Sequence, residues 1–314
     1  MPSPATAPAR PAYRPYCAVV TDAVRLSPSF VRVTFGCAEF EHFGTSGLDQ
    51  RIKLILPGPD GTISDIGQRD EAAITEGGWY QIWRDIPTER RSPLRTYTVR
   101  RIDPVARRLV IDFVVHPGAG PAGAWAEAAA PGAELVIVGP DQRSEGSALG
   151  IDWHPGPARR VLLAGDETAV PAIGSILESL GPEYDVDVLL EVPTSADAIP
   201  IDAAEGVRLR WLPRDGAEHG APLVAAMGQW CARSAELLAR AAAPRPQELA
   251  DVDVDVELLW DSPEGSDGEF YAWMAGEAAT VKTLRRMLVT ANGVDRKRVA
   301  FMGYWRAGVS ERQE

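Results

Sequence analysis

The chain has 314 residues, 45% of them hydrophobic and 24% charged. At roughly 100–200 residues per domain this predicts two domains, each able to bury a core. The formal net charge of −12 argues against nucleic acid or an anionic membrane surface as partner, because both call for a basic face. The charge is unevenly spread: residues 1–150 sum to −1 and residues 151–314 to −11. A near-neutral, Arg-bearing first half can still hold an anion.

Cys17, Cys37 and Cys231 form no CxxC pair, and His42, His116, His154 and His219 have no HxxxH spacing. Zinc ribbons, thiol redox motifs, iron–sulfur sites and a protein-built metal site are therefore not expected. No stretch approaches 18 apolar residues, so no membrane insertion is expected. The reading is a reduced, cytoplasmic, monomeric protein.

Residues 1–15 contain five prolines and no apolar periodicity, which predicts a disordered or extended tail. From residue 16 to 150, short runs alternate with turn signals: CAVVTDAVRL, FVRVTFGC, RIKLILPG, LRTYTVRRI, RLVIDFVVH and ELVIVGP. Several have period two, which predicts an antiparallel β-barrel with one helical interruption at GPAGAWAEAAA. From 151 to 314 strands alternate with helices: RRVLLAG, DETAVPAIGSILESL, VDVLLEV, VRLRWLP, LVAAMGQWCARSAELLARAAA, DVDVELLW, FYAWMAG, EAATVKTLRRMLVTAN and VAFMGYW. That rhythm predicts a doubly wound α/β domain with a parallel sheet. Residues 141–158, polar and rich in Gly and Pro, read as the linker. Residues 246–281 carry ten acids and no base, read as a strand with a solvated acidic edge.

Three segments carry chemistry. In Arg95-Thr96-Tyr97-Thr98-Val99-Arg100, alternation sends Arg95, Tyr97 and Val99 to one face and Thr96, Thr98 and Arg100 to the other. Such a strand suits a flavin, with Arg for phosphate, a ring for stacking and a hydroxyl near a ring nitrogen; a cross-strand Arg/Tyr ladder is the other reading. The turn at His116, Gly118 and Gly120, followed by Pro121, Ala122, Gly123 and Trp125, opens a helix with small residues, as backbone approach to a phosphate requires. In Asp166-Glu167-Thr168-Ala169, after the first strand of the α/β half, Asp166 or Thr168 suits a helix cap. The similar Ala275-Gly276-Glu277 after FYAWM predicts that two strand-end loops share one groove.

In this order, RxYTxR, HPGxGPAG and strand–AGDETA–helix resemble the siderophore-interacting protein family, FAD-binding ferric-siderophore reductases of the ferredoxin–NADP reductase superfamily. Ile52-Lys53-Leu54, Trp211-Leu212-Pro213-Arg214, Trp273-Met274-Ala275-Gly276-Glu277 and the C-terminal VKTLRRMLVTANGVDRKRVAFMGYWRAG add to the resemblance, which spans roughly residues 14–310. It implies an N-terminal flavin barrel and a C-terminal NAD(P)H-binding domain. Arg95 would hold the FAD phosphates, Tyr97 would stack on the isoalloxazine and Thr98 would bond near its reactive edge, beside Thr96 and Arg100. The loop His116–Ala126 would cradle the pyrophosphate, with two departures from the family pattern, at Pro117 and at Gly123, which lacks a hydroxyl.

Asp166, Glu167, Thr168, Ala169, Gly276 and Glu277 would face the NADPH or NADH groove. Arg214 is a candidate for a 2′-phosphate, or simply a loop arginine. Lys53, Arg306, Tyr304 and Trp305 would contact the ferric siderophore. The resemblance thus implies electron flow from NAD(P)H through FAD to siderophore-bound Fe(III), with the flavin carrying the chemistry and no side chain assigned as catalytic. Alternatives are a flavin reductase for another acceptor (quinone or ferredoxin) and a siderophore-binding protein with little turnover. Ferredoxin is also an alternative donor, which the −11 half disfavours.

Overall fold

A computed structural model describes residues 10–116, 118, 120–247, 249 and 259–308. Seven strands, β1 (Tyr13–Ser27), β2 (Phe30–Gly36), β3 (Arg51–Ile55), β4 (Leu94–Thr98), β5 (Arg101–Asp103), β6 (Arg108–Val114) and β7 (Glu134–Pro140), form one antiparallel sheet in the order β4-β3-β7-β1-β2-β6-β5. Its two edge strands, β4 and β5, are separated in sequence only by Val99 and Arg100. So short a link forces the sheet to coil until its edges meet, and the link itself extends the β5–β6 ladder, with Arg100 N–H donating to Val110 O on β6 at 2.9 Å. The expected barrel strand LRTYTVRRI is therefore two strands, and the expected alternation stops at Thr98.

Residues of period two on these strands fill the interior, including Tyr16, Val33, Phe35, Ile52, Leu54, Ile111 and Phe113. Between β3 and β4 the chain makes two short helices that the periodicity does not predict, α1 (Glu71–Glu76) and α2 (Trp79–Asp85). At six and seven residues they are too short to show a 3.6-residue pattern. They exist because Trp83 is buried against Ile55, Val136 and Val138, with its Nε1–H donating to Ser92 O at 3.0 Å. The expected helix at GPAGAWAEAAA is α3 (Pro121–Glu127).

The second sheet holds β8 (Arg160–Gly165), β9 (Asp185–Val192), β10 (Val207–Pro213), β11 (Trp260–Asp261), β12 (Phe270–Glu277) and β13 (Val299–Trp305), in the order β10-β9-β8-β12-β13-β11. All neighbours are parallel except β11. Helices α4 (Val170–Ser179), α5 (Ala221–Arg233), α6 (Ala235–Arg240) and α7 (Ala278–Arg285) cover it. Every residue of β12 is buried. Tyr271, Trp273 and Ala275 enter one core layer and Phe270, Ala272 and Met274 the other, as a central parallel strand requires. Most of the expected strand DVDVELLW, residues 253–260, lies outside the described residues, which resume at Leu259; β11 begins on its last residue, Trp260.

The tail expectation is corrected at its end, and the linker has a more specific structure. Tyr13–Pro15 belong to β1 and pair with Val138–Pro140, so the tail ends sooner than residue 15. The linker is tied down at its second half, where Trp153 and Ala158 are buried in the α/β core and Asp152 N–H and Trp153 N–H donate to the Asp49 carboxylate.

The two sheets dock through polar locks around an apolar patch. The turn after β1 is held by Asp197, whose carboxylate accepts from Ser27 Oγ–H (2.8 Å), Ser29 N–H (2.8 Å) and Thr194 Oγ1–H (2.8 Å). Burial favours the protonated form of Asp197, but these hydrogen bonds prevail and hold its carboxyl below the usual range. A carboxyl lowered in the folded state stabilises above its unfolded pKa, and that contribution is lost as pH falls through the folded value. Asp197→Ala should therefore cost about 1–3 kcal/mol near neutral pH, with a smaller difference below about pH 4. Urea denaturation at both pH values checks this, and a pH-independent difference would contradict it.

Candidate flavin and dinucleotide sites

The antiparallel register of β3 and β4 places Arg95 opposite Leu54, Thr96 opposite Lys53 and Tyr97 opposite Ile52. Opposed residues share a face of the sheet. Arg95 and Tyr97 thus lie on the face of the buried Ile52 and Leu54, and Lys53 and Thr96 on the other, where Lys53 Nζ donates to Thr96 Oγ1 at 2.6 Å. Arg95 Nη1–H donates to Leu94 O at 2.7 Å.

The half-buried Tyr97 ring lies 4.5 Å from Phe113 between centroids. Phe113 in turn meets Trp125 of α3 at 5.8 Å, and Trp125 stacks on Phe35 at 6.0 Å. This aromatic row anchors α3, and with it Gly120 at the start of that helix, against the barrel strands. Trp125, expected among the cofactor contacts, acts here as the anchor.

Ala122 and Gly123 are buried, while His116, Gly118, Gly120 and Pro121 are exposed; Pro117 lies outside the described residues. At Gly118 and Gly120 an added Cβ would meet nothing within 4 Å, so the backbone there is open to a ligand. The segments Arg95–Thr98 and His116–Ala126 contain no carboxylate. A cation and a half-exposed ring on β4, together with open backbone ahead of α3, are the group types that suit a flavin bearing a diphosphate.

Arg100 is not in this group. Its guanidinium makes a two-pronged ion pair with Glu178 of α4 and lies 3.5 Å from Asp112, and Ser175 Oγ–H donates to Arg100 O at 3.0 Å. The side chain is a strut between the sheets, which strand alternation could not show because Glu178 is remote in sequence.

On the α/β half the two strand-end loops do converge. β8 and β12 are neighbours, with Gly165 opposite Ala275. Asp166 is buried; its Oδ1 accepts from Thr168 N–H (2.9 Å) and Oγ1–H (2.5 Å), and its Oδ2 from Glu277 N–H (2.7 Å) and Trp305 Nε1–H (2.9 Å). Burial and the neighbouring Glu167 push the Asp166 carboxyl up. At Gly276 an added Cβ would stand 2.6 Å from Asp166 Oδ2, so only glycine lets the loops close. Ala169 is buried and Glu277 Oε2 accepts from Thr280 N–H at 2.8 Å, capping α7.

Two residues of this cluster carry no motif. His219 lies with Nε2 3.5 Å from Asp166 Oδ2 and its ring edge-on to Trp305; nothing local in the sequence marks it. Glu191, an acid in the apolar run VDVLLEV, is fully buried and accepts from Gly220 N–H (2.7 Å) and Leu223 N–H (3.0 Å). An acid inside an apolar strand was the available signal.

Of the expected siderophore contacts, Trp305 is tied to Asp166. Tyr304 stacks on Trp260 at 5.8 Å, and Arg51 of β3 lies over the other ring system of that pair, 4.3 Å from Trp260. Arg51 is two residues from Lys53, so the stack brings the end of β13 beside the Lys53 face of β3. Arg306 follows β13 and is half-buried.

Beneath this seam, Asp49 accepts from Trp273 Nε1–H at 2.9 Å. Burial pushes its carboxyl up to about 6 from 3.8, against the pull of that bond. The folded state therefore binds this proton more tightly than the unfolded chain, and stability is regained as pH falls from about 6 to 4. Relative to Asp49→Asn, the parent chain should gain roughly 2–3 kcal/mol between pH 7 and 4. Parallel pH profiles in chemical denaturation would contradict the assignment.

A coiled antiparallel sheet with an open glycine turn, docked on a parallel sheet with paired strand-end loops, has the two-part architecture of a flavin-binding barrel followed by an α/β domain. Comparison with known proteins agrees. Residues 19–144 match the siderophore-interacting FAD-binding domain and residues 158–308 the siderophore-interacting protein model. The chain belongs to the siderophore-interacting protein family.

An uncharacterized Mycobacterium tuberculosis protein is 31% identical over 95% of this chain and 93% of its own. Ferric vibriobactin reductase ViuB of Vibrio cholerae is 28% identical, covering 91% and 87%. The NADPH-dependent ferric-chelate reductase of Escherichia coli is 27% identical, covering 90% and 89%. The crystal structure of a siderophore utilization protein from T. fusca superposes with a TM-score of 0.66 at 27% identity, covering 96% of both chains.

Proposed function

We propose that this chain is a ferric-siderophore reductase, taking a hydride from a reduced nicotinamide dinucleotide and delivering its two electrons singly to two siderophore-bound Fe(III) ions, which leave as Fe(II). The observation that carries this reading is the two-faced β3–β4 pair. One face presents Arg95 and Tyr97, the other presents Lys53 against Thr96, so a single strand separates the proposed flavin contacts from the proposed siderophore contact. FAD, when bound, supplies the conversion between two-electron and one-electron transfer.

The side chains bind and position. Arg95 and the open backbone at Gly118 and Gly120 hold the diphosphate, and Tyr97 offers its ring to the flavin. Thr98 is buried at the strand end opposite Arg51, on the Lys53 face, away from the flavin contacts proposed at Arg95 and Tyr97. Lys53 and Arg306 attract an anionic chelate, with Tyr304 walling the same side through its stack on Trp260, whereas Trp305, bonded to Asp166, belongs to the dinucleotide cluster.

Fe(II) is held less tightly than Fe(III) by hard anionic oxygens, so reduction itself releases the metal. We divide the work near residue 150, with FAD before it and the dinucleotide after it. We place the reaction in the cytoplasm, a reading supported by three unbridged cysteines. Among the described residues no helix is long and apolar enough to cross a membrane.

The test is anaerobic reduction of the FAD-loaded protein by NADH or NADPH, then addition of a ferric siderophore with a ferrous chelator to trap product. Flavin that is reduced but not reoxidised by the siderophore, while passing electrons to a quinone, would overturn the acceptor. In the same assay Lys53→Ala should raise KM for an anionic siderophore about three- to tenfold, on the scale of one charge-assisted contact, and spare a neutral chelate. Equal loss with both chelates would make Lys53 structural.

A further inference from the structure

The strand ends of the α/β half hold an arginine already spoken for. Arg214 follows β10 and is the cation that a 2′-phosphate would need at this end of the sheet. Its Nη2–H donates to Glu167 Oε1 at 2.7 Å, and its Nη1–H reaches Glu167 Oε2 at 2.8 Å and Glu191 Oε1 at 3.0 Å. The Arg214 side chain is 13% exposed, and those of Glu167 and Glu191 are 8% and 0%. Burial works against the Arg214 charge, and the two carboxylates more than reverse it.

Glu191 cannot swing aside, because its two oxygens also cap α5 through Gly220 N–H and Leu223 N–H. For Arg214 to meet a phosphate it would have to leave two buried carboxylates without their cation, a strongly unfavourable step.

In dinucleotide-binding α/β folds, an acid near the strand ends accepts from the ribose hydroxyl of NAD, whereas a free arginine there accommodates the extra phosphate of NADP. Here Asp166, Glu167 and Glu191 outnumber Arg214. A phosphomonoester, with nearly two negative charges at neutral pH, meets like charge where an uncharged ribose hydroxyl meets an acceptor. Resting on the dinucleotide reading above, we propose that Glu167 and Glu191 select the electron donor: by engaging Arg214 they make the protein take NADH, which lacks a 2′-phosphate, in preference to NADPH. In this it differs from the E. coli relative, whose name states NADPH dependence.

The experiment uses the FAD-loaded full chain. Steady-state flavin reduction should give a kcat/KM for NADH at least about tenfold above that for NADPH, the effect of 1.4 kcal/mol. By isothermal calorimetry 2′,5′-ADP should bind no more tightly than 5′-AMP. Glu167→Gln keeps the shape and removes the charge, so it should move the NADPH/NADH ratio of kcat/KM at least fivefold toward NADPH and tighten 2′,5′-ADP. Arg214→Ala should not selectively weaken NADPH.

Equal use of the two donors, an unmoved ratio in Glu167→Gln, or selective NADPH loss in Arg214→Ala overturns the proposal while leaving the reductase intact. Flavin that neither donor reduces, in protein that retains FAD and passes electrons from dithionite to the siderophore, overturns the dinucleotide reading and the proposal together.

Discussion

Gly165→Ala should part the central strands of the second sheet. A Cβ at this position would stand 2.4 Å from Ala169 Cβ and 2.5 Å from Ala275 O. The second of these is backbone on the neighbouring strand β12, so no rotamer change relieves it. Overpacking a filled site costs roughly 1–3 kcal/mol. With two contacts this short, one of them to a paired strand, a loss of about 3 kcal/mol or more is expected. The same displacement moves Asp166 away from Glu277 N–H and Trp305 Nε1–H, so stability and donor binding should fall together. Urea denaturation followed by tryptophan fluorescence measures the first. A variant within about 1 kcal/mol of the parent, with its donor kinetics unchanged, would show that the two loops are not held by this approach.

Tyr97→Ala should release the flavin. The proposed stacking face is removed, and the Phe113–Trp125–Phe35 row that anchors α3 loses its first member. Aromatic pairs contribute about 0.5–1.5 kcal/mol beyond their buried area, so FAD affinity should drop about tenfold or more. Tyr97→Phe keeps the ring and should retain most of the flavin. The measurement is the ratio of visible flavin absorbance to protein after gel filtration. Full FAD content in Tyr97→Ala would return the Arg95–Thr98 strand to the cross-strand ladder that its composition also permits.

Both predictions depend on features of different legibility. Gly165 and Gly276 could be read directly, because two strand-end AG[D]E turns in one chain already suggest adjacent loops. The barrel was legible from period-two runs, and its closure follows from the two-residue link between β4 and β5. The short helices α1 and α2 were not legible. Their reason for forming is the burial of Trp83 on a sheet surface contributed by β3 and β7, which no local window contains.

Charge roles were the least legible. Arg95 and Arg100 look alike in RTYTVR, yet one stays by the proposed flavin strand and the other pairs with Glu178 from the opposite sheet. Arg214 looks like a phosphate ligand until Glu167 and Glu191 are found on it.

The opening charge balance can now be placed in space. The carboxylate-free segments at Arg95–Thr98 and His116–Ala126 lie in the near-neutral half, and the acidic excess includes the buried strand-end cluster of Asp166, Glu167, Glu191 and Glu277. By itself the sequence determined the two-sheet architecture, the order of the halves and the positions of the turns. These rest on periodicity and on backbone freedom, which are local properties of the chain. Only the tertiary structure decided which cations remain near a proposed ligand site and which are consumed as struts. Ion pairing depends on distance in space, and the carboxylates that claim Arg100 and Arg214 are brought to them by the docking of whole strands and helices.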